Sequence, residues 1–177
     1  MKSTLMVVAV MLSGVACAGE TDPGAPSTVF VNVADVAESG KVQPVDGITA
    51  AGQPDAKAFE VFANAGYEVV IDMRGPDEDR GLENEPELVE GLGLEYVAFP
   101  ITDRKQIDFD TAEALDEMLE SYDGPVLIHC GSSNRVGALL ALRESLRGAT
   151  DEEALEFGKQ AGMTGLESVV RERLAKE

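Results

Sequence analysis

The chain carries 33 acidic and 14 basic side chains over 177 residues, a formal charge of −19 at pH 7. Such a field repels nucleic acid and anionic lipid, so no nucleic-acid partner is expected, and an anion site must win locally through oriented amides and arginine. Apolar residues make up 44%, enough for the core of one ordinary domain; with 5% aromatics and no tryptophan, that core has to be mostly aliphatic.

The first residues read as an export signal. Met1-Lys2-Ser3-Thr4 gives a short positive start, and Leu5 to Val15 is an apolar stretch too short to span a bilayer as a helix. Two processing sites compete. Gly14-Val15-Ala16-Cys17 resembles a lipoprotein signal with Cys17 as the lipidated residue, although Gly14 stands where an aliphatic side chain is usual. Ala16-Cys17-Ala18 instead offers cleavage after Ala18. Either reading makes 1–18 a signal segment, 19–27 a polar linker and 28–177 the domain. Both imply the bacterial cell envelope, either as a soluble periplasmic protein or through a lipid anchor on Cys17. Both also leave Cys130 as the one free thiol of the mature chain, a liability in an oxidising space unless its reactivity is used.

In chain order, Thr28 to Val36 alternates and is rich in β-branched residues, which predicts a strand; Val45 to Thr49 predicts a second. A helix runs from Pro54-Asp55 to Asn64-Ala65-Gly66, with Ala58, Phe59, Phe62 and Ala63 on its apolar side. Tyr67 to Asp72 is a strand ending in Met73-Arg74-Gly75-Pro76. Asn84 to Leu92 is a short helix closed by Gly91 or Gly93, and Leu94 to Phe99 a strand stopped by Pro100. Asp110 with Glu113 marks the start of a helix to Tyr122, striped by Leu115, Met118 and Leu119. Val126 to His129 is the next strand, followed by a helix to about Arg147. Thr150 with Glu153 and Thr164 with Glu167 have the spacing of capping boxes opening two more helices. Strands alternating with helices predict an α/β fold of three layers, a mostly parallel sheet of four to five strands flanked by helices. In such sheets sites gather at the carboxyl ends of strands, where Arg74, Asp103 and Cys130 all fall.

The informative stretch is His129-Cys130-Gly131-Ser132-Ser133-Asn134-Arg135-Val136-Gly137, which holds the only histidine. A tight turn of small residues between a buried strand and a helix aims backbone N–H groups at one point, beside the positive end of the helix. Arginine adds a planar fork suited to a tetrahedral oxyanion. Cysteine at the bottom of such a cup is placed to react as the thiolate, the nucleophilic form.

With Gly52-Gln53-Pro54, Gly66 to Arg74, Tyr96 to Pro100 and Val126 to Gly137 in this order, the chain resembles the cysteine-dependent phosphatase superfamily. The resemblance spans about Val45 to Leu174 and is closest to the bacterial beta-lactamase-hydrolase-like, phosphatase-like domain family. It implies attack by Cys130 on phosphorus, with Arg135 and the amides of Gly131, Ser132, Ser133 and Asn134 holding the oxygens, and no cofactor. Asp103, or Asp108 next, matches the position of the acid for the leaving oxygen. His129 orients the loop. Arg74 either offers a second anion contact or pairs with Asp72, Asp77 or Glu78. Ser132 and Ser133 either donate hydroxyls into the cup or are simply small enough for the turn. Two departures stand out. Four residues separate Cys130 from Arg135 where tyrosine phosphatases have five, and Val136 stands where they carry Ser or Thr. Four is the spacing of rhodanese-type sulfurtransferases, so a persulfide on Cys130 is the alternative chemistry and a sulfur donor the alternative substrate. A non-catalytic module binding an anion or a partner is the third reading. One histidine and two distant cysteines predict no metal site.

Overall fold

The computed structural model describes residues 27–43, 47–78 and 81–176. The export segment, Cys17 and most of the linker lie outside the described residues. Five strands, β1 Ser27–Val31, β2 Gly47–Ala51, β3 Val69–Asp72, β4 Glu95–Ala98 and β5 Val126–His129, pair in the order β1-β2-β5-β3-β4. Every pairing is parallel, so the expected mostly parallel sheet is parallel throughout. Its helices are α1 Val33–Ser39, α2 Ala56–Asn64, α3 Glu85–Gly91, α4 Phe109–Leu119, α5 Asn134–Leu146, α6 Asp151–Gln160 and α7 Glu167–Leu174. The last strand in sequence is the central one in space. Its outgoing loop therefore opens in the middle of the sheet's carboxyl edge.

Alternation along the strands divides the core in two. Ile48, Ala50, Val69, Ile71, Val126 and Ile128 pack against α4 to α7 through Leu115, Leu139, Leu155 and Val170. Ala51, Val70 and Leu127 pack against α1 to α3 through Val36, Phe59 and Val89. The first side has the aliphatic character expected from composition. The second concentrates aromatics: Phe62 and Tyr67 meet edge to face with centroids 5.0 Å apart, and Tyr67 shares a buried 2.6 Å hydrogen bond with Thr49.

Three expected boundaries differ. The strand predicted over 28–36 stops at Val31, because Asn32 Oδ1 accepts from the Ala34 amide and starts α1, which Gly40 closes at φ 65°. Helix α4 is capped two residues earlier than Asp110 predicts, since Asp108 caps it by accepting from the Thr111 amide. Helix α7 has no side-chain cap at all; the Thr164 amide is taken by Asn134 Oδ1. The capping box of Thr150 and Glu153 forms as predicted.

Helix α5 is buried continuously from Val136 to Arg143, with α4, α6 and α7 around it. Its one buried cation, Arg143, is held by Asp116 at 2.6 Å and Glu144 at 3.2 Å. Contact with α6 is made backbone to backbone at two glycines. A Cβ at Gly137 would overlap the Gly158 carbonyl oxygen and the Met163 amide, neither of which can swing aside. Gly137→Ala should therefore destabilise the fold by about 1–3 kcal/mol, as overpacking does. Equilibrium denaturation reads this as a lower midpoint, and an unchanged midpoint would contradict the close crossing.

Candidate active site

The last residue of β5, His129, and the next one, Cys130, lie on opposite faces of the sheet. Cys130 belongs to the aliphatic side with Met73 and Val136. His129 lies on the other, edge to face with Phe59 at 5.9 Å. The chain then turns sharply into α5 through Ser133, which adopts φ 62°, the only left-handed non-glycine among the described residues. A Cβ in that region costs roughly 1–2 kcal/mol. Packing repays it: Ser133 is fully buried, and its hydroxyl donates to the Ala161 carbonyl at 2.8 Å. Its role is thus to hold the turn, the second of the two readings open to it. Ser132 and Gly131 are exposed on the rim and braced from below, where the Gln53 amide donates to the Gly131 carbonyl at 3.4 Å. The side chain of Asn134 ties the loop to the segment before α7, its oxygen accepting from the amides of Thr164 and Leu166. The amides of Gly131, Ser132, Asn134 and Arg135 meet no acceptor among the described residues. The loop after Cys130 thus carries four unpartnered amides, the donors that a strand-to-helix turn predicts.

Arg135 turns back over the loop toward Cys130. Its guanidinium is raised above its ordinary basicity first by hydrogen bonds to Glu78, a gain opposed by burial, and further by the Cys130 sulfur, which it faces. The clamp is bidentate, Nη1 and Nη2 each reaching one Glu78 oxygen, and Nη1 also donates to the Ile101 carbonyl at 2.9 Å. A guanidinium has five N–H groups. These bonds occupy both on Nη1 and one on Nη2, leaving Nε–H and one Nη2–H for the sulfur and an incoming anion. Glu78 is itself held by the Gly75 amide at 2.8 Å, and Arg135 keeps its carboxyl below the usual range. Cys130 is only 1% exposed, buried at the edge of the aliphatic core with Arg135 facing it.

Arg74 does not line this cup. It is fully buried, with Nε and Nη2 on Asp72 at 2.8 Å each and Nη2 on Glu85 at 2.6 Å. Of its two sequence readings, pairing with Asp72 is the one seen. His129 is buried beside the same group, Nε2 lying 3.2 Å from Glu85 Oε1 without the alignment of a good hydrogen bond. It therefore braces the strand end from beneath and does not contact a ligand in the cup. Tyr96 donates to Asp72 at 2.7 Å, and Gln53 to Glu85 at 2.8 Å. Burial alone would raise Asp72; the bonds from Arg74, with His129 and Tyr96, reverse this and hold it at about 2. Glu85 is likewise pushed up by burial and brought below its ordinary value by His129, Gln53 and Arg74. The Asp72, Glu85 and His129 donor atoms lie within 4.8 Å of one another, a spacing that would suit a metal. The positive charge between these carboxylates is instead the Arg74 guanidinium, already bonded to both.

Asp103 and Asp108, the two acid candidates, separate clearly. Asp103 is exposed and shares a cleft of about 240 Å³ with Arg135, Thr102, Arg104, Ile107, Asn134 and Leu166. Its carboxylate caps the short turn that follows, accepting from the Lys105 amide and, as a capping box, from the Gln106 backbone. Asp108 is spent on capping α4 and lies outside that cleft. Glu78 and Glu85 were not legible as site residues, being two acids among 33 with no periodic or motif signal.

No family model matches the chain. It is 30% identical over 108 residues to a beta-lactamase hydrolase-like protein of Xylella fastidiosa, covering 59% of this chain and 25% of that protein. A namesake from Agrobacterium fabrum is 29% identical over 119 residues, 65% of this chain and 27% of the relative. The chain thus spans about a quarter of the length of these curated relatives. Among solved structures, a Neisseria meningitidis protein provisionally described as a phosphatase superposes with a TM-score of 0.61 at 17% identity, over 71% of this chain and 92% of its own. Kinase associated phosphatase, solved with its catalytic-site cysteine changed to serine, gives 0.52 at 19% identity over 74% and 88%. The resemblance to cysteine-dependent phosphatases stands: the chain has their fold and is similar in sequence to beta-lactamase hydrolase-like proteins.

The buried ionic cluster predicts the acid limb of stability. Asp72, Glu78 and Glu85 all have folded values below their unfolded ones, so the stability they confer is complete above the unfolded carboxyl range near pH 4. It is lost as pH falls from there toward about 2, the folded value of Asp72. Denaturation midpoints for Asp72→Asn should show a flatter acid limb than the parent; parallel limbs would contradict the pairing. Glu85→Ala, which strands part of Arg74's charge, should cost about 3–5 kcal/mol at neutral pH by the same measurement.

Proposed function

We propose that the chain is a cysteine-based phosphatase-like hydrolase acting on a phosphorylated substrate. The observation that carries this reading is a guanidinium facing a cysteine sulfur, in a loop with four unpartnered amides at the end of the central strand. Such an array matches three oxygens around a phosphorus in flight, where charge spreads in the transition state. Cys130 Sγ attacks phosphorus; the S–P bond forms as the P–O bond to the leaving group breaks. Asp103, beside Arg135 in the cleft, is placed to give that oxygen its proton. Water then cleaves the S–P bond, releasing inorganic phosphate and returning the thiolate. Glu78 contributes by fixing Arg135, so little of its rotamer freedom is left to lose on binding. The fold similarity to phosphatases supports this reading. So does the exposed rim at Gly131 and Ser132, which gives an anion access from above.

The four-residue loop favours sulfur transfer as the competing chemistry, and one comparison separates the two. An aryl phosphate is offered to the protein, and separately thiosulfate with cyanide, alongside Cys130→Ser and Arg135→Ala. Phosphate release that falls at least a hundredfold or so in both variants is expected, a loss of the size seen when key transition-state contacts are removed. Asp103→Asn should lose roughly 10²-fold on substrates with poor leaving groups and far less on activated aryl esters. Thiocyanate production without phosphate release would replace the hydrolase with a transferase, and inertness in both assays would leave an anion-binding module.

A further inference from the structure

Resting on this reading, we propose that the catalytic cleft continues into a second anion subsite formed by Arg104, Lys105, Arg173 and Lys176. The substrate would then be a small molecule carrying at least two phosphoryl groups. The sign of the surface is the first argument. In a chain of −19, half of the described cations are already neutralised: Arg74, Arg135, Arg143, Arg147, Lys159 and Arg171 each sit within 4 Å of a carboxylate. Arg104, Lys105, Arg173 and Lys176 form no such pair among the described residues. They gather at one place, around a short 3₁₀ turn over Arg104–Gln106 that walls the cup.

Position is the second argument. Arg104 and Ile107 line the cleft that holds Arg135 and Asp103. Lys105, Asp108, Phe109, Arg173 and Lys176 line the next, of about 590 Å³. Neighbouring residues of the 3₁₀ turn and its end line both, and Arg173, which lines the groove, donates from Nε to the Ile107 carbonyl at 2.8 Å, pinning α7 to that wall. Asp103 and Asp108 subtract two charges, yet each commits an oxygen to a capping amide. The combined size is that of a small-molecule site. Exposed lysines contribute little singly. Three around one groove, with Arg104 in the cleft beside it, act together within a Debye length of about 8 Å on an anion approaching the cup.

Binding tests this without needing turnover, so its outcome is separate from that of the aryl phosphate assay. Wild-type protein and Cys130→Ser are titrated calorimetrically with inorganic phosphate and with myo-inositol hexakisphosphate at physiological ionic strength. The hexakisphosphate should bind at least roughly tenfold tighter. Lys105→Gln with Lys176→Gln should remove about tenfold of that affinity and leave phosphate within about twofold. Lys41→Gln with Arg147→Gln, equal in charge but set at the amino ends of the strands, should change neither. Equal affinity for the two probes, or equal losses in the two double variants, would overturn the subsite. Tighter binding of an acidic phosphotyrosine peptide than of hexakisphosphate would overturn the small-molecule assignment.

Discussion

The Glu78–Arg135 pair governs what the cup is able to do. A lone arginine on the first turn of α5 would have many rotamers and a hydrated head. Gripped by both carboxylate oxygens and by the Ile101 carbonyl, it has one orientation, facing the Cys130 sulfur with two N–H groups not spent on these bonds. The same contact sets a limit. Glu78 brings negative charge within reach of an incoming anion, so the free amides of the loop must outweigh it. Salt-screened, partly exposed charge at Glu78 acts weakly over distance, whereas four dipoles at contact act strongly, and the balance favours binding.

Beneath the cup, strand alternation assigns neighbours to separate tasks. Cys130 and Met73 face the aliphatic half of the core, while His129 and Asp72 face the half covered by α1 to α3. The carboxyl edge of β3 and β5 is therefore floored on one side by apolar packing and on the other by a buried ionic cluster. That cluster, Arg74 between Asp72 and Glu85, joins β3 to α3, and Gln53 extends it to the loop after β2. It is rigid because each member would be costly to leave unpaired. Ser133 adds a smaller strain to the same rim and is held by Ala161.

Periodicity and turn chemistry made the sheet, the central strand and the loop of Cys130 legible, because buried parallel strands are short runs of β-branched residues bounded by glycine and proline. What escaped was long-range polar pairing. Of the two readings open to Arg74, pairing with Asp72 is the one seen, whereas its second partner Glu85 stands eleven residues on, in a helix whose acids give no signal. His129 looked like a member of the cup because it adjoins Cys130, although alternation sends adjacent strand residues to opposite faces. Helix α1 was hidden by its valines, which suit a strand until Asn32 turns the backbone. Of the acid candidates, Asp103 lines the cleft with Arg135 while also capping a turn, and Asp108 caps α4 outside it.

Val136 bears on the second half of the reaction. It is wholly buried, and it offers no hydroxyl where related loops carry one to assist the departing thiolate. Breakdown of a sulfur–phosphorus bond should then lag its formation, and the covalent species should accumulate. Rapid acid quenching of the protein mixed with an aryl phosphate, followed by mass spectrometry of the peptide bearing Cys130, measures this directly. A phosphoryl mass on that peptide, absent in Arg135→Ala, is the predicted result; an unmodified thiol during continuing phosphate release would contradict nucleophilic catalysis by Cys130.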